Sequence, residues 1–304
     1  MSQPLSSNVL GLSSALGAYL IWGSISLYWA QFSQALPWEV VAHRVLWSLL
    51  FIPLWMVMSG ALGTSLSEIR RFFARPREAF LLLLAALVCA FNWWINVYGV
   101  NTAHVVELGI GTFLTPLISV VFGVLFYRET LSVIKWAGVL LAACGVLTMV
   151  VGFGHIPWIS FGVSLSWGLY GALKKAVHIS ARAGIFLEGL FMTPFALGYV
   201  LWLAAQGVGH FSFTSEPTLT VLLISTGIVA SVPMVLFSQA TQLLPMAVLG
   251  FCQYVAPIMT LLMGVFIFHE PFDEKEATAL VFILSGIVVF LLGEVQQHRR
   301  VASH

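Results

Sequence analysis

Charged residues are scarce in this sequence. Charged residues make up only 8% of the 304 residues, and the net charge at pH 7 is +1. A soluble domain carries roughly 25% charged residues, so this chain has too few to cover a surface that faces water. Hydrophobic residues reach 60%, and the mean hydropathy is +0.97. The composition predicts an integral membrane protein, and the nearly neutral charge offers no basis for a nucleic-acid partner.

Signatures of catalysis and metal binding are also scarce. The three cysteines stand singly in apolar segments, at Cys89, Cys144 and Cys252, and their spacing fits neither a metal site nor a disulfide framework. His269-Glu270 begins like a zinc-protease motif, but Asp273 stands where the second histidine belongs. Gly-x-Ser-x-Gly and Walker patterns are absent. The sequence therefore predicts no catalytic residues, no metal and no cofactor.

Long apolar runs fill most of the chain. Spanning the hydrocarbon takes about 20 mostly apolar residues, and backbone groups within lipid must be paired internally. The runs are continuous rather than alternating, so each is predicted to be an α-helix. The N-terminus lacks a basic region, which favours a retained first helix over a cleaved signal. Ten spans are predicted, at 9–30, 38–58, 79–100, 105–127, 133–152, 157–176, 184–205, 218–239, 245–268 and 276–294.

The basic residues predict the orientation of these spans. Of the 13 lysines and arginines, all except Arg44 and Lys275 fall in predicted loops, or within a few residues of them, on one side of the membrane. Cytoplasmic loops carry an excess of basic residues, so both termini are predicted to be cytoplasmic.

An internal repeat organises the chain. Gly109, Pro116, Gly123 and Glu129 recur 141 residues later as Gly250, Pro257, Gly264 and Glu270. The offset equates predicted helices 2–5 with helices 7–10, so the repeating unit has five helices, and an odd unit reverses its orientation when it is repeated. Inverted repeats are a recurring architecture of secondary transporters. The chain is thus predicted to have two inverted five-helix halves, residues 1–152 and 153–304.

Charged side chains inside predicted spans are costly, by about 3 kcal/mol on insertion scales, and therefore need a reason. Arg44 lies in helix 2 and Glu188 in helix 7, where Glu188 is the repeat counterpart of Trp47. Our hypothesis is that Arg44 anchors an anionic group of a substrate, or pairs with Glu188 when the site is empty. A purely structural ion pair is the alternative. His43 could couple transport to protons, or could be a neutral packing histidine.

Amide and aromatic residues complete the candidate site. They suit a small amphipathic substrate in a cavity, but they could equally bond between helices or anchor at the membrane interface. The substrate candidates are Asn92, Trp93, Tyr170, Gln253 and Tyr254, together with Trp47 beside the charged pair.

The repeated motif itself supplies candidate hinges and gates. Pro116 and Pro257 interrupt their helices at equivalent places, either as bending points or as static kinks. Glu129 and Glu270 end these helices near opposite membrane surfaces, where a gate or a structural cap is favoured over a substrate contact.

Several stretches resemble a known family. Two halves, each with a Gly…Pro…Gly…Glu helix, resemble the EamA domains of the drug/metabolite transporter superfamily. AHRVLWSLLF (42–51), NWWINVYGVNTAHVVELGIGTFLTPL (92–117), SWGLYGALKK (166–175) and LGFCQYVAPIMTLL (249–262) resemble its RarD subfamily. The resemblance implies a ten-helix carrier in the bacterial inner membrane.

The sequence therefore predicts a secondary transporter for a small metabolite or drug, working by alternating access, with protons as a candidate coupling ion. A channel or uniporter is the alternative, although channels favour rings of like charge. A membrane-embedded enzyme is less favoured, because no convergent nucleophile or metal set is visible.

Overall fold

A computed structural model describes residues 5–128, 131–153, 156–243 and 252–302. In these ranges the chain forms helices, a short 3₁₀ turn at Ala30–Phe32 and connecting loops, with no strand. The helices are α1 Leu5–Trp29, α2 Pro37–Met58, α3 Leu62–Phe72, α4 Pro76–Asn101, α5 Val105–Tyr127, α6 Val133–Phe153, α7 Trp158–Lys175, α8 Ala181–Gln206, α9 Pro217–Leu243, α10 Val255–Phe266 and α11 Glu274–Ala302.

Seven helices in the described ranges are long and apolar enough to cross a membrane, namely α1, α2, α4, α5, α8, α9 and α11. Two more apolar stretches, Val133–Thr148 and Val255–Phe266, are shorter. The prediction of an all-helical, multi-pass membrane protein is confirmed at this level. The count of ten spans stays a prediction.

Proline and glycine mark several helix boundaries. Pro37 and Pro76 stand at the starts of α2 and α4, where the missing N–H of proline would have had no partner in any case. Gly207 follows α8 with a φ of +68°, a left-handed conformation that glycine adopts without steric cost. These residues explain why the helix ends fall close to the ends of the predicted apolar segments.

Helix α3 was not predicted from sequence, because it lies between the predicted spans 38–58 and 79–100. Ser65, Ile69 and Phe72 are buried, and their spacing places them on one side of the helix. Ile69 and Phe72 share a core cluster with Leu187 of α8. A helix of 11 residues is too short to span the bilayer, which takes about 20 residues. We call the end of the bundle where α3 lies the α3 end.

Helices α6 and α11 approach each other closely through small residues. A Cβ atom added to Gly138 would lie 2.6 Å from the carbonyl oxygen of Gly286, and one added to Gly145 would lie 2.7 Å from that of Ala279. Without side chains at these positions, the two backbones approach to direct contact, as small residues allow in membrane helices.

Gly138→Ala is expected to destabilise the protein by about 1–3 kcal/mol, because the new methyl group meets backbone that cannot move without separating α6 from α11. Gly198 of α8 is the matched control, since a Cβ atom there meets nothing within 4 Å. Gly198→Ala should be neutral or stabilising by up to about 1 kcal/mol, because alanine favours the helix. Thermal unfolding of both variants in the same detergent tests this contrast, and equal shifts would contradict it.

Candidate functional site

A cavity of about 40 Å³ lies between α2, α4, α8 and α9, roughly halfway along α4 and α9. Its lining is mostly apolar, with one cation, one carboxylate and two serine hydroxyls. The lining residues are Arg44, Val45, Ser48, Ala86, Cys89, Trp93, Ile185, Glu188, Gly189, Met192, Ala230, Ser231 and Met234.

Arg44 is the cation of this cavity, and it is only 6% exposed. Its guanidinium lies over the indole ring of Trp93, an arrangement that attracts a cation to the ring face. The Nε and Nη1 atoms are buried without a hydrogen-bond partner. The hydroxyl of Ser231, across the cavity on α9, also lacks a partner. Since unpaired buried polar groups are costly, these donors are available for a ligand.

Glu188 is the carboxylate of the cavity, and its partners lie on α7. Lys174 Nζ is 2.5 Å from Glu188 Oε1, and the Tyr170 hydroxyl donates to Oε2 at 3.2 Å. In this conformation Arg44 does not form the pair with Glu188 that was one hypothesis for an empty site. Both residues line the cavity, but no ion pair within 4 Å joins their described side chains.

The local sequence explains how Lys174 reaches this carboxylate. Tyr170 and Lys174 are four residues apart, so they lie one above the other on α7. Gly184 is likewise four residues before Glu188 on α8, and a Cβ atom there would come within 2.8 Å of Lys174 Nζ. Glycine at 184 thus leaves the space that the lysine side chain occupies.

His43 and Trp47 face the loop between α8 and α9 rather than the cavity. The ring of Phe211 stacks on His43 at 4.8 Å and lies 6.1 Å from Trp47. Neither nitrogen of His43, nor the indole nitrogen of Trp47, has a hydrogen-bond partner.

This loop is fastened one turn earlier on α2. Glu39 is 1% exposed, and it accepts hydrogen bonds from the backbone N–H of His210 at 2.7 Å and from its ring at 2.8 Å. Glu39 is therefore a buried anchor for the loop. The 207–216 loop therefore covers α2 at the end of the bundle opposite α3.

Asn92 joins two helices. Its side-chain nitrogen donates to the carbonyl oxygen of Val163 at 3.0 Å and to the hydroxyl of Ser166 at 2.9 Å. Both partners lie on α7, and Asn92 is not among the cavity-lining residues. Its geometry matches the alternative role considered from sequence, an amide that bonds between helices.

Gln253, Tyr254 and Pro257 lie at the start of α10, away from the cavity. Cys252 is helical, Gln253 and Tyr254 form a turn, and α10 begins at Val255. The segment predicted as one helix over 245–268 is therefore broken just before Pro257, which cannot donate to the carbonyl of Gln253.

The other repeat positions fall at the edge of what the structure describes. The backbone of Pro116 lies within α5, whereas Glu129 and residues 244–251 lie outside the described residues.

Glu270 holds the start of α5. Its carboxylate accepts hydrogen bonds from the backbone N–H groups of Val105 and Val106, both at 2.7 Å. A carboxylate at this position satisfies free N–H groups and the positive end of the helix dipole. Of the two roles weighed for Glu270, this geometry matches the structural cap. Glu107 similarly accepts the N–H groups of Ile159 and Ser160 at the start of α7.

Glu270→Gln is expected to destabilise the protein by about 1–2 kcal/mol, because the amide keeps one acceptor and loses the charge. Ligand affinity should not change. Glu274→Gln is the control, since Glu274 is exposed in the first turn of α11 and should contribute only about 0.5 kcal/mol. Thermal unfolding and ligand titration measure both effects. A loss of affinity at unchanged stability would instead mark Glu270 as part of the transport path.

The structure thus brings Arg44, Trp93 and Glu188 to one cavity, with Tyr170 bonded to its edge. In the sequence analysis Lys174 served only as one of the basic residues that predict the orientation of the protein in the membrane. Its spacing of four from Tyr170 was the available signal. Ser231 and the methionines of α8 and α9 were not among the candidate site residues predicted from the sequence.

Comparisons with known proteins place the chain in a family. The EamA-like transporter family matches residues 9–151 and again residues 156–292. The protein called RarD of Streptomyces exfoliatus is 34% identical over 95% of this chain and 90% of its own length. RarD of Escherichia coli is 30% identical over 95% and 96%. An uncharacterised transporter of Vibrio cholerae is 34% identical over 92% and 91%.

A solved crystal structure supports the fold. It is 18% identical, covers 95% of this chain and 99% of its own, and superposes with a TM-score of 0.57. Together with the apolar helices, these similarities establish that the chain belongs to the EamA-like transporter family, as a RarD-like membrane transporter of small molecules.

Proposed function

We propose that the protein is a secondary transporter that moves a small substrate with an anionic group by alternating access, and that Arg44 binds this group in the central cavity. The observation that carries the proposal is the guanidinium itself. It lies 6% exposed among apolar side chains with two nitrogen atoms unpartnered. A carboxylate or phosphate oxygen would supply these hydrogen bonds with the matching charge. The Ser231 hydroxyl can donate to the same group from α9.

Cavity size supports alternating access over an open pore. A volume of about 40 Å³ holds roughly three water molecules, whereas ligand pockets measure about 300–1,000 Å³. The Lys174–Glu188 pair lies on one side of the cavity, and the 207–216 loop, through Phe211, covers α2 towards the other end. A substrate larger than this volume can enter only when the helices around the cavity move apart, as they do in a carrier.

The lining of the cavity supports the inverted-repeat architecture. The offset of 141 residues matches lining positions on α2 and α4 with lining positions on α8 and α9. The matched pairs are Arg44 with Ile185, Ser48 with Gly189, Cys89 with Ala230, and Trp93 with Met234.

The contact between α6 and α11 repeats in the same way. The approach of Gly138 to Gly286 is equivalent to that of Ala279 to Gly145. We therefore propose ten membrane helices in two inverted halves, 1–152 and 153–304, with the substrate site between them.

Membrane location and coupling complete the proposal. The basic loops favour cytoplasmic termini, and the bacterial relatives favour the inner membrane. Glu188 is better placed than His43 for coupling to protons. Its carboxylate lines the cavity, whereas the His43 ring faces Phe211.

The test compares matched ligands on the purified protein. A thermal-shift screen would pair carboxylates, including amino acids, with the corresponding amides, and would add nucleosides and chloramphenicol. Carboxylates that stabilise the protein while their amides do not would support Arg44 as an anion site. Equal stabilisation by each amide would contradict it.

Hits then enter a liposome assay with and without a pH gradient. Saturable uptake that is accelerated by unlabelled substrate on the opposite side indicates a carrier. Flux that never saturates would overturn alternating access in favour of a channel. A saturable flux that ignores the pH gradient would rule out proton coupling.

A further inference from the structure

Helix α3 and Phe73, the residue that follows it, present a face that the described part of the chain leaves about half exposed; one edge contact joins the ring of Phe73 to Phe191. Leu66 is 52% exposed and Phe73 is 53% exposed, while Arg70 and Arg71 are exposed between them. The opposite face is buried against the bundle through Ile69. A short helix with one buried side and one basic, partly apolar side is typical of a segment that lies in the membrane interface.

The charge on this face is of one sign. Arg70, Arg71, Arg75 and Arg77 are all exposed, within eight residues of sequence. Arg75 pairs with Glu78 at 3.3 Å. Arg71 bonds only to Ser67 among the described contacts, and the described ion pairs include neither Arg70 nor Arg77.

The acidic residues nearby are turned inward. Glu68 accepts hydrogen bonds from the N–H and hydroxyl of Ser180 at 2.6 and 2.5 Å. Glu78 accepts the N–H of His178 at 2.9 Å. Both carboxylates hold the loop between α7 and α8, and of the exposed arginines the described ion pairs join only Arg75 to one of them, Glu78.

We propose that α3 and the residues that follow it bind the headgroups of anionic phospholipids, with Leu66 and Phe73 inserted at the boundary with the acyl chains. The helix lies between two membrane spans, α2 and α4, and therefore at a membrane surface. Guanidinium groups bind phosphate oxygens with two parallel hydrogen bonds, and clusters of basic residues beside a span recognise anionic lipid.

This contact would act on the transport site through the α7–α8 loop. Residues 176–180 lie between Lys174 and Glu188 in sequence, and they are held by Glu68 of α3 and by Glu78 in the first turn of α4. Ile69 of α3 also shares a core cluster with Leu187, next to Glu188. Bound lipid would hold α3 at the membrane surface. Through the α7–α8 loop, it would thereby stabilise the Lys174–Glu188 ion pair at one end of the cavity.

The test measures lipid binding by the full chain in an uncharged detergent, using native mass spectrometry. The probes are dioctanoyl-phosphatidylglycerol, dioctanoyl-phosphatidylcholine and glycerol 3-phosphate. The triple variant Arg70→Gln/Arg71→Gln/Arg77→Gln should lower the affinity for phosphatidylglycerol roughly 100-fold, or about fivefold per arginine. Its affinity for phosphatidylcholine should stay unchanged. Arg128→Gln is the control, since Arg128 is exposed at the α3 end but lies after α5, and it should leave both affinities near wild type.

Two results would overturn the proposal. If the triple variant keeps its preference for phosphatidylglycerol, the anionic lipid binds elsewhere. If glycerol 3-phosphate competes at the same concentration as the lipid, the arginines bind a soluble phosphate. The unfolding midpoint in phosphatidylcholine alone reports whether the variant is folded. Because the readout is lipid binding and not transport, the result does not depend on the proposed substrate.

Discussion

Arg44→Met is expected to weaken ligand binding roughly 100-fold while leaving the empty protein at least as stable as wild type. Removing one partner of a buried charge pair costs about 3 kcal/mol, so the affinity for an anionic ligand should fall roughly 100-fold. In the empty state the same guanidinium has two unpartnered nitrogen atoms, and replacing such a buried group with an apolar one is neutral or stabilising. Ligand titration and thermal unfolding of the same preparation measure the two effects.

Arg44→Lys and Arg182→Met serve as controls for that result. Lysine keeps the charge but loses the planar fork, so its affinity should fall between those of wild type and Arg44→Met. Arg182 lies over the ring of Trp55, outside the cavity lining, and its replacement should leave the affinity unchanged. Normal ligand affinity in Arg44→Met would contradict the assignment of Arg44 as the anion site.

Lys174→Met is expected to destabilise the protein by about 3 kcal/mol, because it leaves the carboxylate of Glu188 buried without its cation. Glu188→Gln should cost less, because the side chain of Lys174 is 24% exposed whereas that of Glu188 is only 9% exposed. The double variant Lys174→Met/Glu188→Gln carries neither charge and should be more stable than Lys174→Met alone. Thermal unfolding of the three variants measures this coupling.

The exposed pair of Arg75 and Glu78 is the control for the ion-pair effect. The side chain of Arg75 is 53% exposed, and exposed ion pairs contribute about 0–1 kcal/mol, so Arg75→Met should shift stability only slightly. A loss in Lys174→Met no larger than this, with no recovery in the double variant, would contradict a buried ion pair.

The same variants test whether this pair closes the cavity. Cys89 lines the cavity and is 1% exposed, so its thiol reports on access. In a Cys144→Ser/Cys252→Ser background, Lys174→Met/Glu188→Gln should speed the reaction of Cys89 with a water-soluble thiol reagent. An unchanged rate would mean that other contacts hold the cavity shut.

Much of the fold could be predicted from the sequence because the bilayer imposes simple requirements. A segment within lipid must be apolar for about 20 residues and must pair its own backbone, so the positions of α2, α4 and α5 follow from composition alone. Proline and glycine then mark where helices such as α4 and α8 begin or end. Helix α3 could not be predicted in this way, because its buried residues lie on one face only and its composition as a whole is polar.

The site was predicted only in part. Arg44 and Glu188 stand out in any sequence reading, because a charge inside a membrane helix is rare and costly. Their partners could not be predicted in the same way. Lys174 reaches Glu188 because α7 and α8 both pack against α4 and Gly184 leaves room for the lysine side chain. Asn92, chosen by the same reasoning as Trp93, faces α7 instead of the cavity.

By itself the sequence determined that this is a helical membrane protein with a repeated unit and two isolated intramembrane charges. Those properties follow from local composition and spacing, which act along one helix at a time. Only the tertiary structure decided that Glu188 pairs with Lys174 and that Arg44 keeps unpartnered donors beside Trp93. It likewise decided that Glu39 anchors the 207–216 loop. Such pairings depend on which faces of different helices meet, and that choice is set by packing between helices distant in sequence.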